Sequence, residues 1–280
     1  MSCFICPVCG KKLVRESTAC RCENGHSFDL SAEGYVNLMP AGKGNAHSGD
    51  SPEMMAARSR FLNAGYYDCL KEAVAESVFS LLLSQKQAAQ TDFSPIVVDS
   101  GCGEGYYTAA AAHRLESAGI GARVAGIDIA KRGIKAAAKR GSDAFFAVAG
   151  IFDLPFAQNS AAVLLSIFAP LCEKEFLRVI APGGHLIVVT PGENHLFGLK
   201  QAVYDKPYKN DEQPYCPEGF APAGRTIVHD EITVKGGHIR DLFLMTPYFW
   251  NTPKEQAVRL DVIDSLETPV DFIITQLIKL

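Results

Sequence analysis

From residue 96 onward, short apolar runs alternate with stretches whose apolar positions recur every three or four residues. Residues 96–100 (IVVDS) form the first run, and a glycine-rich turn follows it directly. Residues 122–129 (ARVAGIDI), 144–149 (AFFAVA), 161–168 (AAVLLSIF) and 185–190 (HLIVVT) repeat the pattern. Short apolar runs bounded by turn residues read as strands buried on both faces. Stretches near 105–118, 131–140 and 172–180 read as the intervening helices. Strands alternating with helices predict a mostly parallel sheet covered on both faces, with right-handed crossovers. Two later strands are expected near 226–234 and 270–278. The loop-rich region of Pro207, Pro214, Pro217 and Pro222 is read as their connection. Ahead of the sheet, residues 51–62 (SPEMMAARSRFL) open with a helix-start signal. Ser51 suits the N-cap, Pro52 the first helical position and Glu53 the first turn. Helical spacing then continues towards Leu83 and suggests two helices broken at Gly65.

The first 40 residues lack this periodicity and are rich in Cys, Gly and polar groups. Residues 41–50 (AGKGNAHSGD) have linker composition. Three parts are therefore expected: a small module over 1–40, a linker over 41–50, and an α/β domain over 51–280. A chain of 280 residues has room for one large domain plus a small appendage. The net charge of −4 decides nothing about nucleic acid, since a local basic patch can coexist with an acidic total. No apolar run is long enough to span a bilayer, and the N-terminus has no signal-peptide pattern. A cytoplasmic protein with no membrane partner is expected.

Nine cysteines change the picture, because five of them (Cys3, Cys6, Cys9, Cys20 and Cys22) fall in the first 22 residues. Clustering at one end points to metal rather than a disulfide scaffold. Cys6-x2-Cys9, twelve residues, then Cys22-x3-His26 gives three thiolates and an imidazole in two close-spaced pairs. Tetrahedral Zn2+ takes such a set, and four protein ligands make the site structural rather than catalytic. Pro7 and Gly10 favour the Cys6/Cys9 pair. Spacing alone leaves another register open, with Cys3 and Cys6 as the first pair or Cys20 in place of Cys22.

The segment VVDSGCGEGYYT (97–108) carries the second chemical signal. Asp99 ends a strand, Gly101, Gly103 and Gly105 alternate after it, and a helix follows. Glycines let the backbone turn sharply and approach a ligand. In open parallel sheets ligands sit beyond the carboxyl ends of the strands. The spacing is not the G-x-G-x-x-G of dinucleotide sites. It resembles motif I of class I methyltransferases, which implies a Rossmann-like fold, a seven-stranded sheet and S-adenosylmethionine as cofactor. Asp128 ends the second strand, 25 positions after Gly103. A carboxylate there suits ribose hydroxyls, although many such residues only cap a helix. GIFDLPF (150–156) places Gly150 and Ile151 where these enzymes line the adenine. RVIAPGGHLIV (178–188) resembles their turn into strand five.

CPVCG near the start is joined to GHSFDLSAEGYVNLMP (25–40), GDSPEMMAARSRFLNAGYY (49–67) and DSGCGEGYYT (99–108). This combination resembles the bacterial 23S rRNA guanine-N1 methyltransferases of the RlmA type, from Cys6 to the terminal TQLIKL. The resemblance implies zinc held by Cys6, Cys9, Cys22 and His26. It implies cofactor contacts from Gly103, Glu104, Tyr67 and His195, a 23S rRNA hairpin loop as substrate, and a homodimer. Ser100 and Phe168 depart from the pattern: an aliphatic residue and a tyrosine are usual there.

Guanine N1 faces its pairing partner in a duplex, so the substrate base must be looped or splayed out. Candidates for RNA contact are the metal module and Arg58, Arg60, Lys131, Arg132, Lys135, Lys139 and Arg140, although the last five also read as a solvated helix face. By type alone, Asp153 and His195 are candidate proton acceptors. Two rival readings are a methyltransferase acting on a small molecule and a zinc-dependent binding protein with an inactive fold. The intact GCGEG loop and Asp128 speak against the second.

Overall fold

The computed structural model describes residues 3–39, 51–88 and 94–280. The linker expected over 41–50 lies outside the described residues. At the N-terminus β1 (Val14–Arg15), β2 (Ala19–Arg21) and β3 (Ser27–Asp29) form a small antiparallel sheet. β4 (Val36–Asn37) follows, then α1 (Pro52–Asn63) and α2 (Asp68–Ala88). The Ser51 hydroxyl accepts the Met54 N–H at 3.2 Å and caps α1. Gly65, with φ of 86°, allows the turn that separates the two helices.

The α/β alternation then runs β5 (Ile96–Ser100), α3 (Tyr106–Ser117), β6 (Arg123–Asp128), α4 (Lys131–Ala137), β7 (Phe145–Val148), β8 (Ala161–Ile167), α5 (Glu173–Val179) and β9 (Ile180–Pro191). After α6 (Phe197–Val203) come β10 (Phe220–Lys235), α7 (Gly237–Leu244), α8 (Tyr248–Asn251), α9 (Lys254–Ala257) and β11 (Ser265–Lys279). Pro207, Pro214 and Pro217 precede β10 and Pro222 lies within it, so the prolines do not join the last two strands. That connection is helical, because residues 237–244 bury Ile239, Leu242, Phe243 and Leu244 along one face.

The main sheet has the order β10-β11-β9-β8-β5-β6-β7-β4. The sheet is mostly parallel, as expected, but the expected count of seven needs correction: among the described residues it has eight strands and is mixed. β11 runs antiparallel to both β9 and β10. The eighth strand is β4, which pairs in parallel with β7 through Val36↔Ala147 and Asn37↔Val148. An uncovered β7 would present unpaired N–H and C=O groups, and the N-terminal segment supplies their partner.

Alternate residues of each strand feed opposite cores. One core gathers Val97, Val163, Leu165, Ile187 and Val189 with α1, α2, α3, α6 and α7. The other gathers Val98, Ile127, Leu164 and Leu186 with Cys3, Phe4, Cys6, Leu13, Cys20, Cys22, Val36 and Leu38. The N-terminal module therefore has no core of its own but shares that of the sheet. No helix among the described residues is long and apolar enough to cross a membrane. The strand order reverses between β5 and β8, and in open α/β sheets ligands bind beyond the carboxyl ends of the strands at such a point.

Candidate metal centre and cofactor site

The structure gathers Cys6, Cys9, Cys22 and His26, with one ligand atom from each lying within 4.8 Å of all the others. Each pair sits in a tight turn closed by a glycine. Gly10 N–H donates to Cys6 C=O at 2.8 Å and Gly25 N–H to Cys22 C=O at 3.0 Å. Both glycines have positive φ. Cys3 and Cys20 are buried outside the cluster, which separates the two registers that spacing left open. The Lys11 backbone N–H, followed by His26, Cys6 and Cys22, holds the Cys9 thiol down at about 6. A thiolate is the form that binds metal, so this donor set fits a four-coordinate ion. The Ile5 N–H donates to Pro155 C=O at 2.9 Å, and the Phe4 ring lies 5.3 Å from that of Phe156. The turns around the metal ligands therefore rest on segment 150–156.

That segment is fastened from its other side as well. Arg178 donates to Leu154 C=O and Phe156 C=O, and Glu175 accepts the Leu154 N–H. Within it, Ile151 packs against the shared core, Gly150 has open space where a Cβ would stand, and Asp153 is exposed.

At the end of β5, Gly101 N–H and Cys102 N–H both donate to Ile127 C=O at 2.9 Å. A Cβ on Gly101 would lie 2.7 Å from Ala169 Cβ, and one on Gly105 would lie 2.7 Å from Ala137 Cβ. Gly103 has nothing within 4 Å of that position. Two of the loop glycines thus serve close packing, while the third has open space where a side chain would stand. Asp128, at the end of β6, fastens the loop to the start of α4. Its carboxylate accepts Gly103 N–H at 2.9 Å and Ala130 N–H at 2.7 Å.

Asp99 is buried, and its Oδ2 accepts the Thr108 hydroxyl at 2.5 Å while Oδ1 has no protein partner. Burial, and then the charge of Asp128, pushes this carboxyl up to about 7. An orphaned buried oxygen at the end of the strand that leads into this loop fits a ligand that brings hydrogen-bond donors. Glu104 is also buried, but its carboxylate pairs with the Arg140 guanidinium. Arg140 donates further to Glu104 C=O at 2.7 Å and to Asn63 Oδ1 at 3.2 Å, tying α1 to the loop.

Tyr67 and His195 lie together, both buried, with the hydroxyl 3.3 Å from Nε2. His195 Nδ1 accepts the Asp271 N–H at 3.2 Å, so Nε2 carries the proton. Burial, with the nearby Lys200 charge, drives this imidazole down to about 3. A neutral ring with its one lone pair engaged by the Asp271 N–H holds position here and does not present a free base. The basic residues are also largely committed. Lys135 and Lys139 approach Glu33 at 3.1 and 4.0 Å, and Arg60 pairs with Asp241.

Sequence reasoning missed Arg140 as the partner of Glu104, and the backbone of Phe168, whose φ is 51°. Neither leaves a local sequence signal: the first is a contact across 36 positions, the second a left-handed conformation that aromatic residues rarely adopt.

A family profile described as "RlmA, N-terminal" matches residues 4–46, and one described as "Methyltransferase domain" matches residues 94–239. A Bacillus subtilis protein provisionally named as a 23S rRNA (guanine-N1)-methyltransferase is 34% identical, over 96% of this chain and 95% of its own. A Micromonospora griseorubida protein with the same provisional name is 34% identical over 88% of this chain and 86% of its own. The 23S rRNA (guanine(748)-N1)-methyltransferase of Streptomyces fradiae is 31% identical over 91% and 88%. Similarity of that extent, spanning both the cysteine ribbon and the cofactor loop, makes the chain a member of the RlmA-type family of 23S rRNA (guanine-N1)-methyltransferases.

Proposed function

We propose that the protein transfers a methyl group from S-adenosylmethionine to N1 of a guanine in a hairpin loop of 23S rRNA. The observation that carries this reading is the open space at Gly103, whose N–H Asp128 holds, together with the unpartnered Oδ1 of Asp99, at the point where the strand order reverses. The activity named for the relatives supplies the substrate class.

Gly101, Gly103 and Asp99 would hold the methionine end of the cofactor. Asp128 has about four acceptor positions on its carboxylate and takes the ribose hydroxyls beside its backbone bonds. Gly150 and Ile151 form the adenine side. Glu104, Tyr67 and His195 shape the walls through their pairings with Arg140, with each other and with Asp271. When bound, S-adenosylmethionine supplies an electrophilic methyl group on a sulfonium. The chain's contribution is orientation: it holds the base in line with that methyl group and excludes water from the site. Cys6, Cys9, Cys22 and His26 would hold one Zn2+, with no position left for a substrate, so the ion is structural. The module over 1–40 and the methyltransferase part over 51–280 then act as one unit, since they share a sheet and a core.

Labelled S-adenosylmethionine incubated with unmodified 23S rRNA, followed by nucleoside mass spectrometry, tests the reading. N1-methylguanosine is the expected product. No incorporation by metal-loaded protein that binds the cofactor would overturn it.

A further inference from the structure

Phe168 follows β8 at its carboxyl end, with φ of 51°. Left-handed backbone is a strained state for an aromatic residue and persists only where its surroundings hold it. Here they do. The Phe168 N–H donates to Val189 C=O at 3.3 Å. The next residue, Ala169, is pressed so closely against the cofactor loop that only glycine fits at position 101. Phe168 is 46% exposed. Its ring lies 6.4 Å from the His195 ring at 25° and 5.9 Å from Phe272. His195 is itself locked by Tyr67 and the Asp271 N–H. A rigid layer thus backs an aromatic surface that remains accessible beside the cofactor loop.

We propose that Phe168 is the platform on which the target guanine stacks, held out by its strained backbone and braced by His195. This rests on the functional reading above. A base leaving its own stack needs a replacement surface, and aromatic side chains provide one in single-stranded RNA recognition. A phenylalanine offers no hydrogen bond, so this platform orients the base without selecting guanine.

The test compares Phe168→Gly and Phe168→Tyr with wild type. Glycine tolerates the positive φ, so that variant loses the ring without backbone strain, while tyrosine keeps the ring. S-adenosylmethionine affinity is measured by calorimetry and kcat/KM on unmodified 23S rRNA. Phe168→Gly is expected to lower kcat/KM for RNA roughly 10- to 100-fold, with cofactor affinity unchanged. Phe168→Tyr is expected to recover wild-type values to within about threefold. Unchanged kcat/KM in Phe168→Gly would overturn the proposal. A parallel loss of cofactor affinity would overturn it too, making Phe168 a wall of the cofactor site. Absence of methylation by the wild-type protein would instead sink the functional reading itself.

Discussion

The Tyr67 hydroxyl stands 3.3 Å from Nε2 of His195, and it is the buried partner that this ring nitrogen has. Because Nδ1 accepts from the Asp271 backbone, Nε2–H must donate to the tyrosine oxygen. Tyr67→Phe leaves that N–H buried without its acceptor, a loss of about 1–3 kcal/mol. Thermal unfolding should show a melting temperature lower by several degrees. An unchanged melting temperature would mean that the imidazole does not depend on the hydroxyl.

Asp99 and His195 tilt stability in opposite directions with pH. Asp99 is pushed from its ordinary 3.8 up to about 7, so the folded state binds the extra proton between those values. Its contribution is present below pH 3.8 and is lost as pH rises through 7. His195 is driven from 6.5 down to about 3, so its contribution is present above pH 6.5 and is lost as pH falls through 3. The two offset each other from about pH 4 to 6.5. In Asp99→Asn the histidine acts alone, and stability measured by urea unfolding should climb more steeply with pH than in wild type. The opposite change of slope is expected for His195→Asn. A difference between Asp99→Asn and wild type that stays constant from pH 4 to 7 would contradict this account.

Arg140 reaches Glu104 from the far end of the α4 region and binds both its carboxylate and its backbone carbonyl. Arg140→Met leaves a buried carboxylate without its counter-ion, a change that costs on the order of 3–5 kcal/mol in such pairs. Lysine cannot reproduce the planar fork that spans carboxylate, carbonyl and Asn63. Both variants should therefore unfold at lower urea concentration than wild type. The double variant Arg140→Met with Glu104→Gln should recover part of the loss. No recovery would show that the ion pair is not the cause.

Metal removal should be felt at the cofactor site. The ligand turns bind segment 150–156 through Ile5 and Phe4, and β4 extends the sheet beside it. Stripping the ion with a chelator should weaken S-adenosylmethionine binding about tenfold, the scale of ordinary coupling between sites. Elemental analysis of the untreated protein should find one metal per chain. Cofactor affinity that survives chelation would confine the metal's role to the ribbon itself.

Much of this site could be read from residue order, and the reasons are physical. The glycines at 101, 103 and 105, the aspartates at 99 and 128, and the paired ligands at 6, 9, 22 and 26 are local patterns, imposed by a tight turn, a strand end and a metal's coordination. What was illegible depends on distant partners. β4 is two residues long and has no period to detect; it becomes a strand only because β7 lies beside it. The commitment of Glu104 to Arg140 and the backbone of Phe168 follow from packing among α4, β9 and the loop. The helical connection between β10 and β11 was masked by reading prolines as the link, although residues 237–244 do carry a helical apolar face.

The sharing of one sheet by the first and the middle parts of the chain also sets an order of assembly during synthesis. The four candidate metal ligands all lie between residues 6 and 26, so they can come together without any later part of the chain. Val36 must wait for Ala147, about 110 residues later, which at ~5–20 residues per second is a delay of roughly 5–20 s. Throughout that interval Phe4, Leu13, Val36 and Leu38 lack the core that finally covers them. A segment made well before its partner strand is thus finished only after it, and its apolar side chains stay uncovered in between.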